Sequence, residues 1–125
     1  MMMNTRLLAD ANELCRLGVE ELTAGFSSRR FTPLEVAQAT LARAEQVQDR
    51  FNAFSIIDVD AALAMAKEST ARWRSGAPVS VIDGVPTTVK DILWVKDRAV
   101  RYGSRTTSTI PCAQDAPSTP QRRMW

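Results

Sequence analysis

Apolar positions recur at spacings of three and four through the first 75 residues, then crowd into short β-prone runs. That change of period predicts helices first and strands after them. Residues 10–24 read as a helix, with Asp10 as its cap and Glu13 three residues later to return the bond. Leu14, Leu17 and Leu22 supply a partial stripe, Gly18 interrupts it and Gly25 is placed to end it. The second helix is written most clearly. Thr32-Pro33-Leu34-Glu35 is a capping box with proline at the first helical position. Leu34, Ala37, Leu41, Ala44 and Val47 then share one face, and the helix is expected to run to about Arg50. Ala53 to Ile57 reads as a strand or an extended connection. Asp58 or Asp60 opens an alanine-rich third helix that Gly76-Ala77-Pro78 stops.

Residues 79–81, 85–89 and 92–95 form the β-prone runs. Helices followed by strands indicate an α/β fold. Pro111, Pro117 and Pro120 then break any regular pattern, so residues 117–125 read as an unstructured tail. No internal repeat or low-complexity tract is present.

Composition narrows the function classes. A chain of 125 residues with 45% hydrophobic positions can bury one core. Sixteen basic and 14 acidic residues leave a net charge of +2, which argues against a nucleic-acid or anionic-membrane surface. Arg122-Arg123 would release too few counterions to change that. There is no histidine, and the two cysteines, Cys15 and Cys112, have no metal-type spacing, so no metal site or cofactor is expected. Two free thiols in a reducing compartment are the simpler reading. Asn4, Arg6, Asp10 and Glu13 interrupt any signal-peptide core, and no apolar run approaches a membrane span, so a cytoplasmic protein is expected.

Candidate chemistry centres on Lys90, because a chain without histidine needs another base. A lysine after a strand is usually solvated, and pattern alone gives it little weight. Its context says more. Phe31-Thr32-Pro33-Leu34-Glu35-Val36, Leu41-Ala42-Arg43-Ala44-Glu45, Phe51-Asn52-Ala53-Phe54 and the alanine-rich helix 61–75 occur in order. Asp83-Gly84-Val85-Pro86-Thr87-Thr88-Val89-Lys90-Asp91, Gly103-Ser104 and Asp115-Ala116 complete the series. In this series the chain from about Glu20 to Ala116 resembles the start of the amidase-signature family, and the Gly-Val-Pro…Val-Lys-Asp segment is its most specific part.

The resemblance implies a larger mixed sheet flanked by helices, with residues 1–116 as its N-terminal portion. It also implies hydrolysis of a carboxylic amide C–N bond by a serine, cis-serine and lysine triad. Lys90 stands at the position of the family's lysine, which is neutral and acts as general base through the cis-serine. A second serine forms the acyl-enzyme, and backbone N–H groups hold the oxyanion. The glycine- and serine-rich loop that carries both family serines has no counterpart in these 125 residues. Ser104 and Ser108 do not substitute for it. The expectation is therefore a truncated, inactive amidase fragment whose full-length parent takes a small amide substrate. The family includes small-amide hydrolases and the glutaminase subunit of the tRNA-dependent amidotransferase, which works with partner subunits.

Lys90 is expected to be an exposed lysine in this chain. Asp91, pointing opposite to Lys90 along an extended strand, is expected to hydrogen-bond a neighbouring turn. Gly84 permits an unusual turn and Pro86 fixes its own dihedral. The alternative function is a small non-catalytic interaction module that adds a strand to a partner's sheet. Unpaired strand edges in the fragment would also favour self-association.

Overall fold

A computed structural model of the chain describes residues 11–118, and three helices organise the first part of it. They are α1 (Val19–Ser27), α2 (Pro33–Phe51) and α3 (Val59–Arg74). The chain divides into two compact units, Met1–Pro86 and Thr87–Trp125, and all three helices belong to the first.

The first expected helix is split. Residues 11–14 are helical and the chain then turns, so Gly18 is the N-cap of α1 rather than a flaw inside a longer helix. Its N–H donates to Glu21 Oε2 at 2.7 Å, which satisfies an amide at the start of α1. Asp10, the expected cap, lies outside the described residues. Gly25 does not end α1 either. It is buried inside the helix, and a Cβ there would run into the Phe31 ring. The helix closes four residues later in a Schellman motif, with Arg29 left-handed at φ 60° and Arg30 N–H donating to Gly25 O at 3.0 Å.

The capping box of α2 forms as the sequence predicts. Thr32 Oγ1 accepts from Glu35 N at 3.2 Å, and Thr32 N donates to Glu35 Oε2 at 2.7 Å. The helix runs one residue past the expected Arg50, to Phe51, and left-handed Asn52 ends it. Its deepest residues are Pro33, Val36 and Ala39; the expected stripe from Leu34 to Val47 is only half-buried. Asp58 proves to be the cap of α3, accepting from Ala61 N at 3.0 Å. Gly76 ends α3 at φ 73° in a second Schellman motif, in which Ala77 N–H reaches Arg72 O at 2.9 Å.

The core of this unit joins Leu22, Phe26, Phe31 and Val36, with Leu14, Leu17, Trp73 and Val85 packed against them. Phe26 meets Phe31 edge-to-face at 5.8 Å and Trp73 at 5.9 Å. α2 packs on α3, whose buried face is small and partly polar: Ala66, Ser69 and Thr70. Thr70 Oγ1 accepts from Leu34 N at 3.1 Å and donates to Ala66 O at 2.8 Å, so its hydroxyl is satisfied inside the interface.

The expected strands do not form, and the α/β reading is corrected: among the described residues there is no strand or sheet. The only pairing of that kind among them is an isolated parallel bridge between Lys96 and Cys112. Local bonds occupy the amides a ladder would need. Phe54 N and O are both taken by the Gln48 side chain, at 2.8 and 3.1 Å, in the first supposed strand. Val79 N goes to Asp83 Oδ2, Asp83 N to Ser80 O and Val85 N to Ile82 O. Pro86 has no N–H to give. Ile92 N and Leu93 N both turn back onto Lys90 O. High β-propensity without a partner strand gives turns here. In the second unit, residues 94–98 instead run beside 112–116 through Asp97 N to Cys112 O, Lys96 N to Asp115 Oδ1 and Ala116 N to Trp94 O.

Candidate functional site

Lys90 opens a tight turn in the second unit. Its carbonyl accepts from Ile92 N at 2.8 Å and Leu93 N at 3.1 Å, and its side chain is exposed. Among the described residues, no hydrogen bond or ion pair engages its ammonium. Asp91, half-buried beside it, is bonded elsewhere: Oδ1 accepts from Arg101 N at 3.0 Å. The sequence expectation of a bond to a neighbouring turn holds. Arg101 opens that turn, closed by Ser104 N to Arg101 O at 2.8 Å. Tyr102 and Gly103 at its centre have φ 52° and 68°, the type I′ pattern. Thr107 Oγ1 adds bonds to Arg101 O and Ser104 O, each at 3.0 Å.

Among the described residues that follow Lys90, Ser104 and Ser108 serve local turns and neither is bonded to it. Ser104 Oγ lies 2.8 Å from Thr106 Oγ1 and accepts from Thr106 N at 3.1 Å. Ser108 Oγ accepts from Ile110 N at 3.1 Å. Both hydroxyls serve local turns, the ordinary use of serine in such segments.

The strongest polar constellation lies in the first unit, and sequence reasoning missed it. Asp83, 1% exposed, receives two bonds from Arg72, Nε to Oδ2 and Nη2 to Oδ1, both at 2.7 Å. Val79 N adds a third to Oδ2 at 3.1 Å, and Trp73 Nε1 donates to the Asp83 carbonyl at 2.9 Å. Burial pushes the carboxyl up, but hydrogen bonding to Arg72, helped by the Val79 amide, outweighs it and holds Asp83 below the usual carboxylate value. The same bond raises Arg72 against a smaller lowering by desolvation. This is a fork-to-fork pair that ties the loop 79–83 to the last turn of α3. Arg72 reads in the sequence as a cation suited to the helix C-terminus; its spacing of 11 residues from Asp83 carries no helical signal.

Gly84 follows this pair. Its φ of 84° belongs to glycine, and a Cβ would overlap Ser69 Oγ and stand 2.8 Å from Pro33. Ser69 Oγ itself is buried with no partner that meets hydrogen-bond geometry, although the hydroxyl also helps to lower the Asp83 carboxyl. The glycine of the most specific sequence segment thus has a packing reason at the α2–α3 interface.

A cavity of about 330 Å³ in the first unit is walled by Phe26, Phe31 and Trp73 with Arg29 and Arg74 among its lining. Its hydroxyls, Thr32 and Thr70, already serve the α2 cap and the α2–α3 contact, so it presents no nucleophile paired with a base. Among the described residues no group of three or more His, Cys, Asp or Glu could hold a metal ion, and Cys15 and Cys112 are free thiols. No helix among them is long and apolar enough to cross a membrane.

Comparison with known proteins supplies what these loops do not. Over 95 residues the chain is 39% identical to the glutamyl-tRNA(Gln) amidotransferase A-subunit of Anaeromyxobacter sp. (strain K), covering 76% of this chain and 19% of that protein. The protein of the same name from Myxococcus xanthus (strain DK1622) is 39% identical over 93 residues, 74% of this chain and 19% of that one. The mitochondrial counterpart from Ixodes scapularis is 35% identical over 89 residues, 71% of this chain and 17% of that one. The chain therefore spans about a fifth of the length of these relatives. No solved structure matches it. The sequence model of the family described as Amidase matches residues 35–123, from the α2 capping box through the segment around Lys90, and the chain belongs to the amidase family.

Proposed function

We propose that this chain carries the lysine arm of an amidase-type active site, with Lys90 as the base that acts on an amide C–N bond through a serine, cis-serine and lysine triad. The observation that supports this is the placement of Lys90 inside the matched segment, six residues after Gly84. The two serines and the oxyanion amides would come from sequence without a counterpart in residues 1–125. The 125-residue chain alone is accordingly proposed to be inactive toward amides.

The relatives are named as one subunit of an amidotransferase. That favours a parent activity of amide transfer within a complex of several subunits over hydrolysis of a free small amide. The test is a chimera in which residues 35–118 replace the matching segment of the Myxococcus xanthus relative, assayed for amidotransferase activity. Activity in the chimera that falls at least a thousandfold with Lys90→Ala supports the reading. Equal activity with and without Lys90 removes it. The 125-residue chain assayed alone should release no ammonia from glutamine above the rate of its Lys90→Ala variant.

A second reading rests on a different observation. Val81 and Ile110 are 82% and 77% exposed, and Trp94, Ile92 and Tyr102 are also exposed. Apolar side chains displayed in this number suit protein contact. Sedimentation at increasing concentration tests it, and a single monomeric species throughout would count against a self-associating module.

A further inference from the structure

We propose that Asp91 is a positioning residue for Lys90, holding the turn that carries the lysine on the Arg101 amide instead of neutralising the lysine itself. The proposal rests on the reading of Lys90 as the base. A carboxylate next in sequence to a catalytic lysine has two uses open to it. It can pair with the ammonium, which fixes the side chain but favours the charged form and opposes base function. Or it can spend its lone pairs on backbone and fix the chain instead. The structure shows the second use. Asp91 Oδ1 accepts from Arg101 N at 3.0 Å, and no ion pair engages Lys90 among the described residues.

The acceptor is well chosen for holding a turn. Arg101 N is ten residues away in sequence, so its bond to Asp91 closes a loop that local turns cannot close. Arg101 is itself fixed on the far side. Its carbonyl receives Ser104 N at 2.8 Å and Thr107 Oγ1 at 3.0 Å. On the near side, the Lys90 carbonyl is held by Ile92 N and Leu93 N. Lys90 therefore has its own carbonyl doubly held and is followed by a residue whose side chain is tied to a second, braced turn. No strand ladder supplies this order among the described residues, so the Asp91 bond takes the place a ladder would have.

The two uses differ in what the conservative variant does. Asparagine keeps an oxygen that can accept from Arg101 N but carries no charge; alanine keeps neither. The experiment uses the 125-residue chain, amide hydrogen exchange at Arg101, and the rate at which an N-hydroxysuccinimidyl acetate probe acylates each of the three lysines, Lys67, Lys90 and Lys96, read by peptide mass spectrometry. Asp91→Asn should leave both Arg101 exchange and Lys90 acylation within twofold of the native chain. Asp91→Ala should speed Arg101 exchange at least tenfold, with Lys67 acylation unchanged as the internal reference.

Two outcomes overturn the proposal. Lys90 acylation at least tenfold faster in Asp91→Asn would mean that the carboxylate faces the ammonium, since a direct pair is worth roughly one to three logarithmic units. Arg101 exchange unchanged in Asp91→Ala would mean that the bond holds nothing. Failure of the base reading itself is seen elsewhere, as chimera activity that survives Lys90→Ala, and leaves these exchange and acylation rates as they are.

Discussion

Replacing Arg72 by leucine should turn the acid sensitivity of the first unit around. In the native chain, Asp83 is 1% exposed and Arg72 is one-third exposed, joined by two bonds of 2.7 Å. Arg72→Leu strands a carboxylate whose remaining neighbours are the Val79 amide and the Ser69 hydroxyl. Breaking a fully buried pair costs about 3–5 kcal/mol. Solvent reaches one side of this guanidinium, so roughly 2–3 kcal/mol is the working figure. Asp83→Ala removes the charge as well and leaves the Val79 amide without its acceptor, a cost of about 1–3 kcal/mol. The double variant should resemble Asp83→Ala, because Arg72 without Asp83 has little left to hold. The coupling in that cycle is then on the order of 2 kcal/mol.

The dependence on pH separates this account from simple loss of packing. Folding holds the native Asp83 carboxyl below its ordinary value, so its contribution is fully present above about pH 4 and is lost as pH falls through the lower folded value. In Arg72→Leu the guanidinium is gone and burial dominates, which pushes the carboxyl above its ordinary value. Protonation then favours the folded state, and the variant gains relative stability as pH falls from 7 toward 4. Urea unfolding followed at 222 nm reads this directly, since all three named helices lie in the first unit. The native and variant curves should lie ~2–3 kcal/mol apart at pH 7 and close on each other by pH 3. A gap that stays constant over that range would show that the Arg72 effect is not electrostatic.

Gly84→Ala should cost about 2–4 kcal/mol, because both φ of 84° and the contacts with Ser69 and Pro33 oppose a Cβ; the urea midpoint should fall with m unchanged. Gly25→Ala gains about 1 kcal/mol of helix propensity, but its Cβ meets the Phe31 ring on three atoms, so a net loss of roughly 1–2 kcal/mol is expected by the same assay. A stabilised Gly25→Ala would show that Phe31 can move away. Thr32→Ala should lose about 1 kcal/mol through the α2 cap, and Thr32→Ser should restore most of it.

What could be read from the sequence follows a physical division. The α2 cap needs only residues 32–35, and Asp58 and Gly76 act on their own turns, so local chemistry announces all three. Gly18 and Gly25 both depart from their expected roles because a glycine's function depends on what comes near it. Gly18 found Glu21, and Gly25 found a ring six residues on. The buried face of α3 was hidden by composition, since Ser69 and Thr70 look like surface residues until a second helix covers them. The strands failed for a reason that residue type does not carry. Val79, Val85 and Ile92 have β-propensity, but their amides are captured by Asp83, Ile82 and Lys90 within the same turns.

The segment from Asp83 to Asp91 thus divides at the boundary between the two units. Gly84 is required by what surrounds it: left-handed backbone, the Ser69 hydroxyl and the Pro33 ring leave room for no other residue. A variant there is a stability variant, and its loss of activity in any chimera would say nothing about chemistry. Lys90 is different in kind. Its backbone serves a turn that any residue could serve, and its side chain is exposed. Lys90→Ala should therefore leave the unfolding free energy of the 125-residue chain within about 0.5 kcal/mol of native. If it does, activity lost on the same change in the chimera is attributable to the ammonium group and not to folding. A clear destabilisation by Lys90→Ala would instead give the lysine a structural duty, and its place in the segment would no longer argue for catalysis.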